Sequence, residues 1–250
     1  MQKIEFIPLS ESAILISFGN TIHSATHETL IDAKNKIEAN PFIGFIETVP
    51  AYNSLAVYFN PLDVKREVES ISIAVTNQLK HILENTKQVN TTATNKSIIE
   101  IPVCYDDEYG IDLQEISQQL KLSKAEIIQF HISQLYKVFM IGFTPGFPYM
   151  GILQEQLVTK RKQQPRISVP PGSVAIAGNQ TGIYPLSTPG GWNIIGRTAL
   201  KLFDKEKDNP FLLKAGDTVQ FIPVSEKEFK DLSEFMNPRE KIEYKNKQIN

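Results

Sequence analysis

The chain has 250 residues, 41% of them hydrophobic and 22% charged, with a formal net charge of -2 at pH 7. That length can bury the core of one large domain or two smaller ones, and we read it as two. The near-neutral charge gives no general pull toward nucleic acid or anionic membrane, and no apolar run approaches the roughly 20 residues of a membrane span.

Residues 3–9 and 13–18 read as strands joined by Ser10, Glu11 and Ser12. A helix is predicted over 24–39, with Leu30, Ala33 and Ile37 at helical spacing and Asn40-Pro41 closing it. His23 and His27 are placed on an exposed turn of this helix, without a zinc-ligand spacing. Strands over 43–49 and 54–59 flank a turn at Ala51-Tyr52-Asn53. Asp63 is expected to cap an amphipathic helix whose stripe is Val64, Val68, Ile71, Val75, Leu79 and Ile82. This ββαββα order packs two helices on one face of an antiparallel sheet, a small α+β domain over residues 1–84. The polar stretch 85–96, with no apolar periodicity, is expected to be a linker.

The second domain, 97–236, opens with a strand at 97–104 that holds the chain's one cysteine, Cys104. A lone thiol excludes an intrachain disulfide, and the apolar run around it predicts a buried, unreactive group. With an N-terminus that begins directly on a charged strand pattern, a cytoplasmic location is expected. Two short helices follow. One starts near Asp112, and the other starts at Ser123 with Glu126 completing a capping box. Strands at 135–141, 173–178, 193–203 and 217–223 predict a closed barrel or sandwich, followed by a helix near 226–235 and a frayed tail over 237–250.

The chemistry concentrates between Gly142 and Gly196, which holds nine of the thirteen glycines and seven of the fifteen prolines, so the backbone there is fixed by tight turns. Thr144, Tyr149, Gln180, Thr181 and Tyr184 supply neutral donors and acceptors for a small amide or carboxylate, or else satisfy the turns themselves. Phe147 and Trp192 are candidate pocket walls or protein anchors, with core packing as the alternative. Arg166 and Arg197 offer planar forks for an anion, and Arg197 follows Gly196 where it can point into a cleft. The run Lys160-Arg161-Lys162 reads as a solvated face. His131, near a helix end, is a general acid or base by its ordinary pKa, although packing or capping of the helix is the favoured reading. A phosphate-cradling loop, a dinucleotide fingerprint, a His-Glu-x-x-His zinc pair, a Gly-x-Ser-x-Gly elbow and a Met-Lys-Met biotinylation site are all absent from the sequence.

The blocks Gly-Phe-Thr-Pro-Gly-Phe-Pro-Tyr (142–149), Pro-Arg (165–166), Val-Pro-Pro-Gly-Ser-Val-Ala-Ile-Ala-Gly-Asn-Gln-Thr-Gly-Ile-Tyr-Pro (169–185) and Pro-Gly-Gly-Trp-Asn-Ile-Ile-Gly-Arg-Thr (189–198) resemble the family of 5-oxoprolinase B subunits, also labelled allophanate hydrolase subunit 1. That family includes sporulation-kinase inhibitors of the KipI type. The resemblance implies an α+β fold, a KipI N-terminal-like domain followed by a cyclophilin-like β-barrel, without implying prolyl isomerase activity. It implies partner subunits A and C and ATP used by their complex to open 5-oxo-L-proline to L-glutamate, with no metal or biotin site in this chain and no activity of the chain alone. An inhibitor docking on a sensor histidine kinase and a urea carboxylase-related subunit are the alternatives. The residues carried over are His131, Arg166 and Arg197 as catalytic, and Thr144, Phe147, Tyr149, Gln180, Thr181, Tyr184 and Trp192 as substrate-binding.

Overall fold

The structure, a computed structural model, describes residues 4–64, 70–86 and 98–235. The chain divides into two compact units, Met1–Ala93 and Thr94–Asn250. Most of the linker expected over 85–96, and the whole tail from 237, lie outside the described residues.

In the first unit, β1 (Glu5–Ser10), β2 (Ala13–Ser17), β3 (Phe45–Pro50) and β4 (Ser54–Phe59) form an antiparallel sheet in the order β1-β2-β4-β3, with α1 (Ser24–Ala39) and α2 (Ile71–Asn85) between and after them. Strand alternation sends Ile14 and Ile16 of β2 and Leu55, Val57 and Phe59 of β4 to one face, where Leu30 and Ile37 of α1 and Val75 and Leu79 of α2 cover them. Two expectations are corrected here. His27 is fully buried, because it falls on the same helical stripe as Leu30, while His23 caps α1 by accepting the Ala25 N–H on Nδ1 at 3.2 Å. Asp63 does not start α2. It sits in a turn where its carboxylate accepts from Asn60 Nδ2 at 2.7 Å, and Ser70 is the cap residue; Val68 lies outside the described residues.

The second unit is built on a closed barrel. Its strands are β5 (Ile98–Cys104), β6 (Tyr136–Ile141), β7 (Pro148–Gly151), β9 (Ser173–Ala177), β10 (Gln180–Ile183), β12 (Asn193–Arg197) and β13 (Thr218–Val224), in the order β10-β7-β6-β13-β5-β12-β9. A separate ribbon pairs β8 (Arg166–Val169) with β11 (Thr188–Gly190). The helices are α3 (Leu113–Leu120), α4 (Lys124–Ile132) and α5 (Glu226–Phe235), and α4 carries the expected Ser123–Glu126 capping box. Val103, Val138, Met150, Val174, Ile176, Ile195 and Phe221 fill the interior, with Ile116 of α3 and Ile127 of α4 packed against them.

The strand expected over 193–203 stops at Arg197, and the sequence reading passed over β7, β8, β10 and β11. These are short strands inside the glycine- and proline-rich blocks. Gly182 in β10 shows why such residues sit in strands here: a Cβ at this position would approach Phe147 Cζ to 2.9 Å, so the missing side chain is what lets an aromatic ring lie against the sheet. Cys104 is buried, and burial pushes its thiol up to about 11, which keeps it protonated and unreactive. Among the described residues no helix is long and apolar enough to cross a membrane.

Candidate functional site

The loop before β7 reverses within a few residues. Thr144 N–H donates to Gly142 O at 2.8 Å, a three-residue turn that puts Phe143 at φ +67, and Gly146 follows at φ +83. A phenylalanine in the left-handed region is uncommon and strained. The consequence is that the Phe143 ring, 61% exposed, stands at the surface edge-on to Phe147 and Tyr184.

Phe147 is the hub of an aromatic cup. Its ring centroid lies 4.8 Å from Tyr149, 5.1 Å from Tyr184 and 5.6 Å from Trp192, the last two nearly perpendicular. Such edge-to-face pairs are the geometry that aromatic quadrupoles prefer. The cavity they border, about 230 Å³, is also lined by Pro165, Pro189, Gly190 and Arg161. Gly190 is required: a Cβ there would lie 2.7 Å from Tyr184 Cζ and closer still to its hydroxyl. Gly190→Ala is therefore expected to cost about 1–3 kcal/mol through overpacking, read by chemical denaturation, and to shift the emission of Trp192, the chain's single tryptophan. Unaltered emission and stability would show that the cup has slack at this wall.

The polar atoms of the cup are few. Burial raises the pKa of both Tyr149 and Tyr184, and the Arg161 charge partly offsets this in each; the Tyr184 oxygen also accepts the Trp192 backbone N–H. Arg161 places its guanidinium carbon 5.7 Å from the Trp192 ring centroid.

The strap that carries Arg161 is pinned on both sides. Thr159 and Gly178 bridge through their backbones, Asn193 Nδ2 donates to Lys160 O at 2.8 Å, and Lys162 N–H donates to Gly191 O at 2.8 Å. Beside it lies a knot of charge centred on Asp112, which is 2% exposed. Its carboxylate accepts from Arg166 Nη1 at 3.0 Å and Nη2 at 2.6 Å, and from the Ile194 N–H at 2.7 Å. Lys162 Nζ lies 2.9 Å from Asp112 and 2.7 Å from Glu115. Burial alone would lower the Lys162 pKa, but the Glu115 and Asp112 carboxylates outweigh it and hold the amine above its ordinary value. The run at 160–162 is thus not a plain solvated face: Lys162 is locked in place, and only Lys160 and Arg161 are exposed.

The structure brings Phe147, Tyr149, Tyr184 and Trp192 together and places the other candidates elsewhere. Arg166 does clamp an anion, and that anion is Asp112. Asp112, expected to open a helix, sits at the N-cap position of α3 but turns its side chain to β8 and β12 instead. Arg197, on β12, lies over the Tyr109 ring at 5.7 Å, with its Nε buried and without a hydrogen-bond partner among the described residues. Thr144 Oγ1 is likewise buried without a partner, and Gln180 begins β10 just after the Gly178-Asn179 turn, outside the cup lining.

His131 and Thr181 lie inside the barrel, both fully buried. Thr181 Oγ1 donates to Ala175 O at 3.3 Å, so it accepts from His131 Nε2 at 2.9 Å, and His131 Nδ1 accepts from the Tyr105 hydroxyl at 2.8 Å. The imidazole stacks on Phe221, centroids 4.4 Å apart, and burial drives its pKa down to about 3. The neutral ring has both nitrogens engaged, by Tyr105 and Thr181, the arrangement that the packing reading expects. The sequence reading missed Phe143, Arg161 and Asp112. A pointer to Arg161 was its position on a segment flanked by glycine- and proline-rich blocks.

Residues 4–213 match the family model described as carboxyltransferase domain, subdomain C and D. The 5-oxoprolinase B subunit of Bacillus subtilis is 41% identical over 92% of this chain and 96% of its own length. The chain belongs to the 5-oxoprolinase B-subunit family. The Escherichia coli O157:H7 member agrees, at 36% identity over 90% of this chain and 99% of its own. Among solved structures, TTHA0988 superposes with a TM-score of 0.73 at 33% identity, covering 85% of this chain. The chain spans 40% of that longer one. The α+β architecture with its barrel is thus shared with that solved structure, and the residues that line the cup fall within those matched by the family model.

Proposed function

We propose that this chain is the B subunit of an ATP-dependent 5-oxoprolinase, acting with subunits A and C to hydrolyse 5-oxo-L-proline to L-glutamate. The observation that carries this reading is the near end-to-end similarity to the B. subtilis protein, 41% identical over 92% of this chain. The chemistry is consistent with it. A five-membered lactam is a stable amide, so opening it needs activation of the carbonyl at the expense of ATP and a rigid seat for the ring. The cup offers such a seat, with aromatic walls and strap and loops fixed by glycine, proline and backbone hydrogen bonds.

The nucleotide is handled by a partner in this reading. Each glycine-rich loop among the described residues leads into a strand: 142–146 into β7, 170–172 into β9, 178–179 into β10 and 190–191 into β12. None of them opens a helix, so none presents the helix N-terminus that cradles phosphates in common nucleotide sites. A catalytic role for this chain is thus one of positioning within the complex, and the chain alone is expected to be inactive.

Subunits A and C mixed with this chain should convert 5-oxo-L-proline to glutamate only when ATP is present, followed by glutamate release. Leaving out any one subunit should reduce the rate to background. Turnover that continues unchanged without this chain would contradict the reading.

A further inference from the structure

Arg161 is the cation that lines the cup, and no carboxylate among the described residues pairs with it. Its neighbours are different: Lys162 pairs with Asp112 and Glu115, and Arg166 with Asp112. The strap therefore separates its cations by task, two closing an internal knot and one left over the cavity. Pinning of Lys160 O by Asn193 and of Lys162 N–H by Gly191 fixes the backbone on either side of Arg161, so its stem starts from a defined place. Opposite it, the Tyr184 oxygen accepts from the Trp192 backbone N–H, and no acceptor for its hydroxyl proton is found among the described residues. At about 230 Å³, the cavity is below the roughly 300–1,000 Å³ of sites for drug-sized ligands.

We propose that the cup is a binding site for a small planar cyclic amide bearing a carboxylate, with the Arg161 fork taking the carboxylate and the aromatic walls taking the ring. The aromatic side chains that line the cavity pack against the ring, and the Tyr184 hydroxyl donates to an oxygen of the ligand. Arg161 sets specificity: a lactam without the carboxylate fills the same walls but leaves the guanidinium unmatched. The Asp112 knot acts as a positioning device, holding the strap and β8 so that the fork faces the cavity. This rests on the proposed function above and names the part of the substrate that this chain reads.

The test uses Arg161→Gln and Arg161→Lys in the full chain. In the reconstituted three-subunit mixture, Arg161→Gln should raise KM for 5-oxo-L-proline about 10- to 100-fold, the loss of one charge-assisted pair, with kcat within about threefold. Arg161→Lys should fall between, because it keeps the charge and loses the fork. Arg161 is exposed, so the melting temperature should not change. In parallel, Trp192 emission of the wild-type chain should respond to 5-oxo-L-proline at concentrations where 2-pyrrolidinone, the same ring without a carboxylate, has no effect, and Arg161→Gln should abolish that preference. An unchanged KM in Arg161→Gln overturns the proposal while leaving the 5-oxoprolinase reading intact. If the wild-type mixture has no turnover, the functional reading fails, and the emission titration alone decides: equal responses to the two lactams, or none, overturn the site.

Discussion

Asp112→Ala is expected to destabilise the barrel unit by about 3–5 kcal/mol, the range for removing one partner from a buried charge network. The side chain holds together elements that are far apart in sequence. It accepts from Arg166 on β8 and from the Ile194 N–H on β12, and the Asp112 N–H donates back to Ile194 O at 3.0 Å. Its loss leaves the buried Ile194 N–H without an acceptor and Arg166 without its carboxylate partner, while Lys162 keeps only Glu115. The Arg166 and Lys162 side chains are 28% and 15% exposed, so water recovers part of the loss and places the value in the lower half of the range. Asp112→Asn, which keeps an acceptor for Ile194 but not the charge, should lose less. Denaturant unfolding followed by far-UV circular dichroism checks both. An Asp112→Ala protein within about 0.5 kcal/mol of wild type, a threshold set by ordinary surface substitutions, would mean that the knot contributes nothing net.

The second large effect is acid lability from His131. Its pKa falls from an ordinary 6.5 to about 3 because it is buried. Between those values the unfolded chain binds a proton that the native chain does not, so stability is lost as pH falls from about 6.5 toward 3. The slope is about 1.4 kcal/mol per pH unit. Between pH 7 and pH 5 this group alone should account for about 2 kcal/mol. His131→Gln can still bridge Tyr105 and Thr181 yet cannot titrate, so its loss of stability over the same interval should be smaller by that amount. Equal losses in the two proteins would show that His131 is reached by protons without unfolding.

How much of this was legible in the sequence differs between local and distant features. The Ser123–Glu126 box and the alternation of Ile14 and Ile16 are local, since their causes lie within four residues, and they are found where the pattern puts them. The glycine- and proline-rich blocks also located the cup, because the need for rigid turns around aromatic residues is written in composition. The individual roles of the charged residues were not legible. Arg166 and Asp112 are 54 residues apart, and Asp112 and Ile194 are 82 apart, so nothing in their surroundings showed that one would neutralise the other. Asp112 looked like a helix cap because helix starts are common places for aspartate. The register between distant strands, which the local pattern does not carry, decided that it would face Arg166 instead.

Arg161 was obscured for the same reason. In a run of three cations each one looks solvated, and only the pairing of Lys162 with Asp112 and Glu115 singles out its neighbour. Phe143 was obscured by conformation, since its exposure follows from φ +67, which the sequence Gly-Phe-Thr does not announce. The strands β7 and β10 were missed because glycine and proline signal turns on average. Here proline occupies a strand's first position and glycine lies beneath an aromatic ring, two exceptions with clear physical grounds.

The measurement that bears most directly on the cup as the working part of this chain is 5-oxo-L-proline turnover by subunits A and C supplied with either the wild-type chain or Gly190→Ala, at a temperature where both are folded. With Tyr184 displaced by the added methyl group, the variant should assemble normally and turn over at least about tenfold more slowly, the loss of roughly 1.4 kcal/mol of transition-state stabilisation. Turnover equal to wild type, with Tyr184 shown to have moved by a change in Trp192 emission, would contradict a role for the cup in the reaction.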